Sequence, residues 1–381
     1  LNSRKRSDPV TTADPPEVDR LEALLTPYRE TSNANLRTMW EEFAAAHPRG
    51  RFPSTQTMAK NARLFFAGKR YRYALALAGY RLLTGQSPSP ALERAACWLE
   101  WYHLYTLFLD DIMDEDERRR TLPSAWSANA SLYRRADGRR PAIVFRTRRH
   151  RYGASQAILD ALRIRSLAER AIETAGDLGP GVRLDLLTEL TEVDLVLSDG
   201  QGLDIDFEGV TAIPEAEYVR MSEAKTARLY AAAATTAAVA ANASVETQAA
   251  FQEYAVRFAV AFQDRDDLLG AGVVRSEIGG SSEGDIRQGK RTRLYVLATQ
   301  ALRGKDRATF LRAYGRGRRS TRKDIVAVRE LLRRSVLPVM EERIEKNLDL
   351  ARKAVNRIPS RDSEARSLLD ALLDAQRSRV R

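Results

Sequence analysis

An apolar run meets a cluster of charges in Trp101-Tyr102-His103-Leu104-Tyr105-Thr106-Leu107-Phe108-Leu109-Asp110-Asp111-Ile112-Met113-Asp114-Glu115-Asp116-Glu117-Arg118-Arg119-Arg120. Apolar residues recur at the helical period from Leu92 to Leu109, which predicts a buried helix. That helix runs unbroken into five acids, Asp110 to Asp116. At 3.6 residues per turn Asp110 and Asp114 lie about 40° apart on one face, so their repulsion calls for a cation between them. Carboxylate oxygens are hard donors and suit magnesium. His103, seven residues before Asp110, lies only about 20° from it, two turns back on the same face. A solvated acidic helix end would show similar local text, but the apolar helix carrying these acids argues against it.

A second acidic stretch, Phe262-Gln263-Asp264-Arg265-Asp266-Asp267-Leu268-Leu269-Gly270, is again set into an apolar helical run, Phe251 to Leu269. Gln263 is three residues from Asp266 and four from Asp267, which puts an amide and two carboxylates on one face. Compact cationic groups occur at Gly68-Lys69-Arg70-Tyr71-Arg72, Arg118 to Arg120, Lys225-Thr226-Ala227-Arg228 and Gly289-Lys290-Arg291. Two acidic sites with cations between them point to a diphosphate held through magnesium in a helical cavity.

The rest of the chain fits that picture. Its 381 residues are 44% hydrophobic, with few Gly and Pro and no convincing alternating strand, which favours an all-α domain and excludes wholesale disorder. A single cysteine, Cys97, excludes an internal disulfide and a thiolate zinc cluster, and reads as inert packing. The net charge of +11 favours anionic partners. Residues 1–18 are too polar to offset the entropy of ordering and read as a flexible tail, with one domain over 19–381. Turn signals fall at Pro48–Gly50, Gly85–Pro88, Ala136–Gly138, Asp177–Pro180, Ala212–Pro214 and Gly270–Gly284. The uncharged run Leu229 to Val245 is shorter than the roughly 20 strongly apolar residues of a membrane span and reads as one core helix. No secretory signal opens the chain, so a cytoplasmic protein is expected. Arg146-Thr147-Arg148-Arg149-His150-Arg151 reads as a solvated loop, and no nucleic-acid partner is expected.

Together these motifs resemble the trans-isoprenyl diphosphate synthases, the family of farnesyl and geranylgeranyl diphosphate synthases. The likeness covers about Phe66 to Leu297. It rests on Gly68–Arg72, Glu100, His103, Asp110-Asp111-x-x-Asp114 with Arg119-Arg120, Gly200-Gln201 with Leu203-Asp204, Lys225-Thr226, Phe262-Gln263 with Asp266-Asp267, and Asp285 to Arg291. The resemblance implies an isoprenoid-synthase helical bundle around a central cavity, acting as a homodimeric prenyltransferase. It implies that Asp110, Asp111, Asp114, Asp266 and Asp267 bind Mg2+, three ions in all. Arg119, Lys225, Thr226 and Gln263 would act on the allylic diphosphate. Lys69, Arg72, His103, Arg120 and Lys290 would bind diphosphate, the first four that of isopentenyl diphosphate. The expected product has fifteen or twenty carbons, its length set by Tyr105 and Thr106 below the first acidic motif.

Departures fall on the allylic side. Gly270 stands where an aspartate commonly ends the second motif, Gly280 where a lysine is usual, with Arg275 a possible replacement, and Ala161-Leu162 where a Gly-Asp pair is often seen. A cyclase or another acceptor specificity is an alternative, though the Asn-Asp-x-x-Ser-x-x-x-Glu motif of the usual cyclases is missing. An accessory subunit is another, which the complete Asp110-Asp111-x-x-Asp114 argues against.

Overall fold

The apolar helical period read from the sequence becomes helix along nearly the whole described chain. The computed structural model describes residues 17–47, 53–119, 122–133, 144–274 and 283–378. In chain order the helices are α1 (Glu17–Ala46), α2 (Pro53–Phe65), α3 (Tyr71–Thr84), α4 (Pro90–Met113), α5 (Ala125–Ala130), α6 (Arg148–Glu173), α7 (Pro180–Phe207) and α8 (Glu215–Ser222). There follow α9 (Arg228–Ala240), α10 (Val245–Gly270), α11 (Gly284–Gln288), α12 (Arg293–Ala301), α13 (Gly304–Ala313), α14 (Arg322–Ser335), α15 (Leu337–Val355) and α16 (Ser363–Ser378). Among the described residues, the extended structure is a two-residue pairing of Arg118–Arg119 with Leu122–Pro123.

One apolar core runs from Leu21 to Ala375, and a satellite gathers Phe207, Ile213, Tyr218, Met221 and Val296. Within the core α4 packs on α6, α10 on α15, and α3 on α9. Small residues set the closest approaches. A Cβ on Gly79 of α3 would lie 2.2 Å from the Phe251 ring and 2.9 Å from Ala237 Cβ, so three helices meet there at a spacing only glycine permits. The buried alanines of α9 serve the same close packing. Cys97, Trp98 and Trp101 are core, as their apolar surroundings predict.

Three local readings change. The run Leu229 to Val245 is not one helix: α9 ends at Ala240, Asn242 takes the left-handed conformation (φ 49°), and Ser244 starts α10 by accepting from Thr247 N. The basic run Arg146–Arg151 is not a loop throughout, because Thr147 accepts from His150 N and opens α6 at Arg148. Near Ala161-Leu162 the carboxylate present is Asp160, one residue earlier. Fully buried, it accepts from Thr57 and Asn129 and pairs with Arg163, tying α2 and α5 to α6. Glu17 already lies in α1, whereas residues 1–16 lie outside the described residues, as do Arg120, Arg275 and Gly280.

Candidate active site

The first acidic motif ends α4. Ser89 caps the start of that helix on Leu92 N, and Pro90 fills its first turn. Acids at a helix C-terminus oppose the macrodipole as well as one another. The chain holds the end in place by another route: Trp126 Nε1 donates to the carbonyls of Asp111 (3.0 Å) and Asp116 (2.8 Å). The Arg118–Arg119 pairing with Leu122–Pro123 turns Arg119 back, so that its guanidinium spans both oxygens of Asp111 and reaches Asp110 at 3.2 Å.

The second wall comes from a π-helical turn, Glu223–Ala227, inserted between α8 and α9. Such a turn re-aims side chains within a helix. Here it presents Lys225 to Asp204 on α7 and to Asp110 Oδ1 (3.2 Å). Gly200 of α7 allows this: a Cβ there would sit 2.5 Å from Lys225 N. Thr226 donates to Gln263 Oε1 (3.3 Å), and Gln263 Nε2 donates to Asp267 Oδ1 (2.9 Å). Asp267, buried in α10, also accepts from the Tyr218 hydroxyl and from Arg293 N, each at 3.2 Å. Arg293 in turn pairs with buried Asp264 at 2.7 Å.

A third wall follows α11. Gly289 (φ 77°) turns the chain against Gly315, where a Cβ would come within 2.7 Å of backbone, and Lys290 then reaches Asp114 at 2.8 Å. Asp285 of α11 lies against Gly270, and a Cβ on Gly270 would be 2.2 Å from Asp285 Oδ2. The space a side chain at 270 would claim thus already holds a carboxylate.

These walls enclose a cavity of about 940 Å³ lined by Asp110, Asp114, Lys225, Thr226, Gln263, Asp266, Asp267, Asp285 and Lys290. Its electrostatics are uneven. Burial would raise Asp110, but Lys225 and Arg119 overcome it and hold the carboxyl below its usual range. Asp114 is raised by burial and by Asp110, against the pull of Lys290. Asp285 is pushed up to about 6 by burial, opposed by Lys290 and reinforced by Asp116, Asp114 and Asp266. Burial also pushes Asp267 up to about 8, with Asp264 adding to it. Such crowding of carboxylates marks a place where countercharge is expected to bind. Among the described residues no three carboxylate, imidazole or thiol groups form a cage for an ion. The cavity instead offers the carboxylate oxygens of Asp110, Asp114, Asp266 and Asp267, hard donors that fit magnesium, which takes one or two carboxylates and completes its shell with phosphate oxygens and water.

The polyprenyl synthetase family model matches residues 55–332, a span that contains every one of these side chains. The chain belongs to that family. It is a prenyltransferase. A geranylfarnesyl diphosphate synthase of Aeropyrum pernix is 28% identical over 82% of this chain and 91% of its own. A geranylgeranyl diphosphate synthase of Sulfolobus acidocaldarius is 28% identical over 77% and 82%. Among solved structures, a Corynebacterium glutamicum geranylgeranyl pyrophosphate synthase complexed with isoprenyl diphosphate and magnesium shares the fold. It has a TM-score of 0.81 at 24% identity, over 93% of this chain and 99% of that one.

Set on this polyprenyl synthetase fold, the remaining described motif residues lie outside the cavity lining. Arg119 and Asp111 stand one contact behind Asp110. Arg72 lies 4.2 Å over the Tyr230 ring, and exposed Lys69 lies 5.6 Å over Tyr71, whose ring packs on Phe262 beside Gln263. His103 is half-buried on α4. Thr106 donates to the His103 carbonyl, and Tyr105 packs edge-on against Tyr102, whose hydroxyl donates to Asp194. Three contributors carried no assigned role in the sequence reading: Asp204, Asp285 and Arg70. Arg70 is buried in a left-handed conformation (φ 60°), paired with Glu100 at 3.0 Å, and donates to Asn33 and the Phe65 carbonyl. Glu100 also accepts from Tyr73 N, so this pair anchors the start of α3 beside Lys69 and Arg72.

Proposed function

We propose that this prenyltransferase condenses an allylic diphosphate with isopentenyl diphosphate, using Mg2+, to give a prenyl diphosphate of fifteen or twenty carbons. The observation that carries the reading is the single cavity in which the acid-bearing ends of α4 and α10 share space with Lys225 and Lys290. In this reading Asp110, Asp114 and Asp266 hold three magnesium ions, with Asp111 and Asp267 completing the two motifs. When bound, magnesium supplies countercharge to the leaving diphosphate as the allylic carbon–oxygen bond breaks.

The chain's own residues do the rest. Lys225, bridging Asp204 and Asp110, and Arg119, bridging Asp110 and Asp111, are preorganised donors able to pass from carboxylate to phosphate oxygens at little reorganisation cost. Thr226 and Gln263 form a hydrogen-bonded pair beside them, with Gln263 oriented by Asp267. Lys290, joined to Asp114, covers the diphosphate from the third wall. Lys69, Arg72, His103 and Arg120 bind isopentenyl diphosphate, and its double bond attacks the allylic cation before a proton is lost to the released diphosphate. Tyr105 and Thr106 limit the growing tail. The chain works as a homodimer in the cytoplasm. Among the described residues no helix is long and apolar enough to cross a membrane. The test is to incubate the chain with isopentenyl diphosphate, magnesium and each allylic primer in turn, and to measure product length. Condensation with none of the primers would refute the reading.

A further inference from the structure

Residues 303–324 hold nine Lys and Arg against two Asp, a net of +7 in a chain whose total is +11. They form α13, a 3₁₀ turn at Gly317–Arg319 and the start of α14. Arg303, Lys305, Arg312, Arg318, Arg319 and Arg322 are all exposed. Among the described residues only Arg316 of the nine makes an ion pair, with Asp324, and Asp306 pairs outside the group with Arg334. Five arginines further along the chain, Arg343, Arg352, Arg357, Arg366 and Arg377, each hold a carboxylate instead. The unpaired cations also have a definite place. Tyr314 and Gly315, in the middle of this segment, line the cavity, and Gly315 N donates to the Ile286 carbonyl of α11. The ridge is therefore the outer side of the wall that carries Asp285 and Lys290.

Three anionic occupants can be compared. A free diphosphate needs donors converging in a pocket, whereas these cations are spread along a helix, a turn and a second helix start. A single-stranded nucleic acid is commonly gripped by aromatic rings interleaved with the charges. Here the two aromatics of the segment, Phe310 and Tyr314, are buried and stacked on each other at 5.0 Å. A bilayer rich in anionic lipid presents an extended field that a spread, exposed, unpaired array matches. It is also where a prenyl chain leaving the adjoining cavity partitions.

We propose that the α13–α14 ridge docks this wall of the cavity on an anionic membrane surface. The choice of lipid over other polyanions rests on the prenyl-elongation reading above. Flotation with vesicles of phosphatidylcholine containing 30% phosphatidylglycerol tests it, against vesicles of phosphatidylcholine alone. Binding is expected only to the anionic vesicles and should be lost in 0.5 M salt, where screening acts within a few ångströms. Each cation near such a surface contributes about fivefold to binding, so Arg312→Gln, Arg318→Gln and Arg319→Gln together should weaken it about a hundredfold. Melting temperature and turnover of soluble substrates in vesicle-free buffer should stay unchanged. Equal binding to both vesicle types, or a triple variant that floats like wild type, overturns the proposal. So does tighter binding to transfer RNA than to the vesicles at the same salt, which would assign the ridge to nucleic acid. Flotation uses no substrate, so absent condensation alongside salt-sensitive anionic binding would refute the catalytic reading separately.

Discussion

Gly200→Ala tests whether the closeness of α7 to the π-helical turn is what places Lys225 and Thr226. The added Cβ would lie 2.5 Å from Lys225 N and 2.9 Å from both Ala224 C and Cβ. Carbon contacts settle near 3.5–4.0 Å, so the turn must retreat by about 1 Å, and backbone atoms cannot rotate aside as a side-chain tip can. Overpacking of this kind costs about 1–3 kcal/mol, against about 1 kcal/mol gained from replacing a helical glycine. The effect on rate should be larger than the net effect on stability. A shift of about 1 Å in a positioning group costs on the order of a hundredfold in turnover, or about 2.7 kcal/mol in the barrier. Gly202, two residues further along α7, has nothing within 4 Å of its would-be Cβ and is an internal control. Gly202→Ala should keep normal turnover and gain up to about 1 kcal/mol in urea unfolding from helix propensity alone. The assay is single-turnover condensation with labelled isopentenyl diphosphate, run beside urea denaturation of both variants. Wild-type turnover in Gly200→Ala, or equal damage in Gly202→Ala, would refute the argument.

Asp110→Asn or Asp114→Asn should lower turnover by orders of magnitude and weaken magnesium binding measured by calorimetry with a diphosphate present, because each removes a charged ligand. Normal values for both would remove the metal assignment. Tyr105→Ala should lengthen the product, read by chromatography of the dephosphorylated alcohols; an unchanged distribution moves the floor to Leu104 or Phe108. Asp285, raised by burial to about 6, binds its proton more tightly folded than unfolded. Its contribution to stability is therefore fully present below about pH 4 and is lost as pH rises through 6. Asp285→Asn should accordingly be the more stable protein at pH 7.5, by at most about 3 kcal/mol, and show no advantage at pH 4. Equal melting temperatures at both pH values would refute the crowding of carboxylates around it.

The helical class was legible in the sequence because apolar period is a property of neighbouring residues: Leu92 to Leu109 reads as one buried helix, and α4 forms there. The same holds for the acidic motifs, since spacing along a helix sets that Asp110 shares a face with Asp114, and Gln263 with Asp266 and Asp267. Where a helix breaks on a conformational detail the local text was insufficient. The stop at Ala240 depends on Asn242 accepting a left-handed conformation that an Ala-rich run does not announce. What only the tertiary structure decided is pairing between distant segments. Lys225 meets Asp204 and Asp110 because Gly200 lets two helices touch, and Lys290 meets Asp114 across 176 residues because Gly289 turns against Gly315. Gly270 departs from the aspartate common at that position, and folding brings Asp285 into the space from fifteen residues further along the chain. The physical reason is the same in each case. Periodicity and charge spacing are written within a single helix, whereas the identity of a facing side chain depends on how closely two helices can approach. That distance is decided by small residues that carry no chemistry of their own.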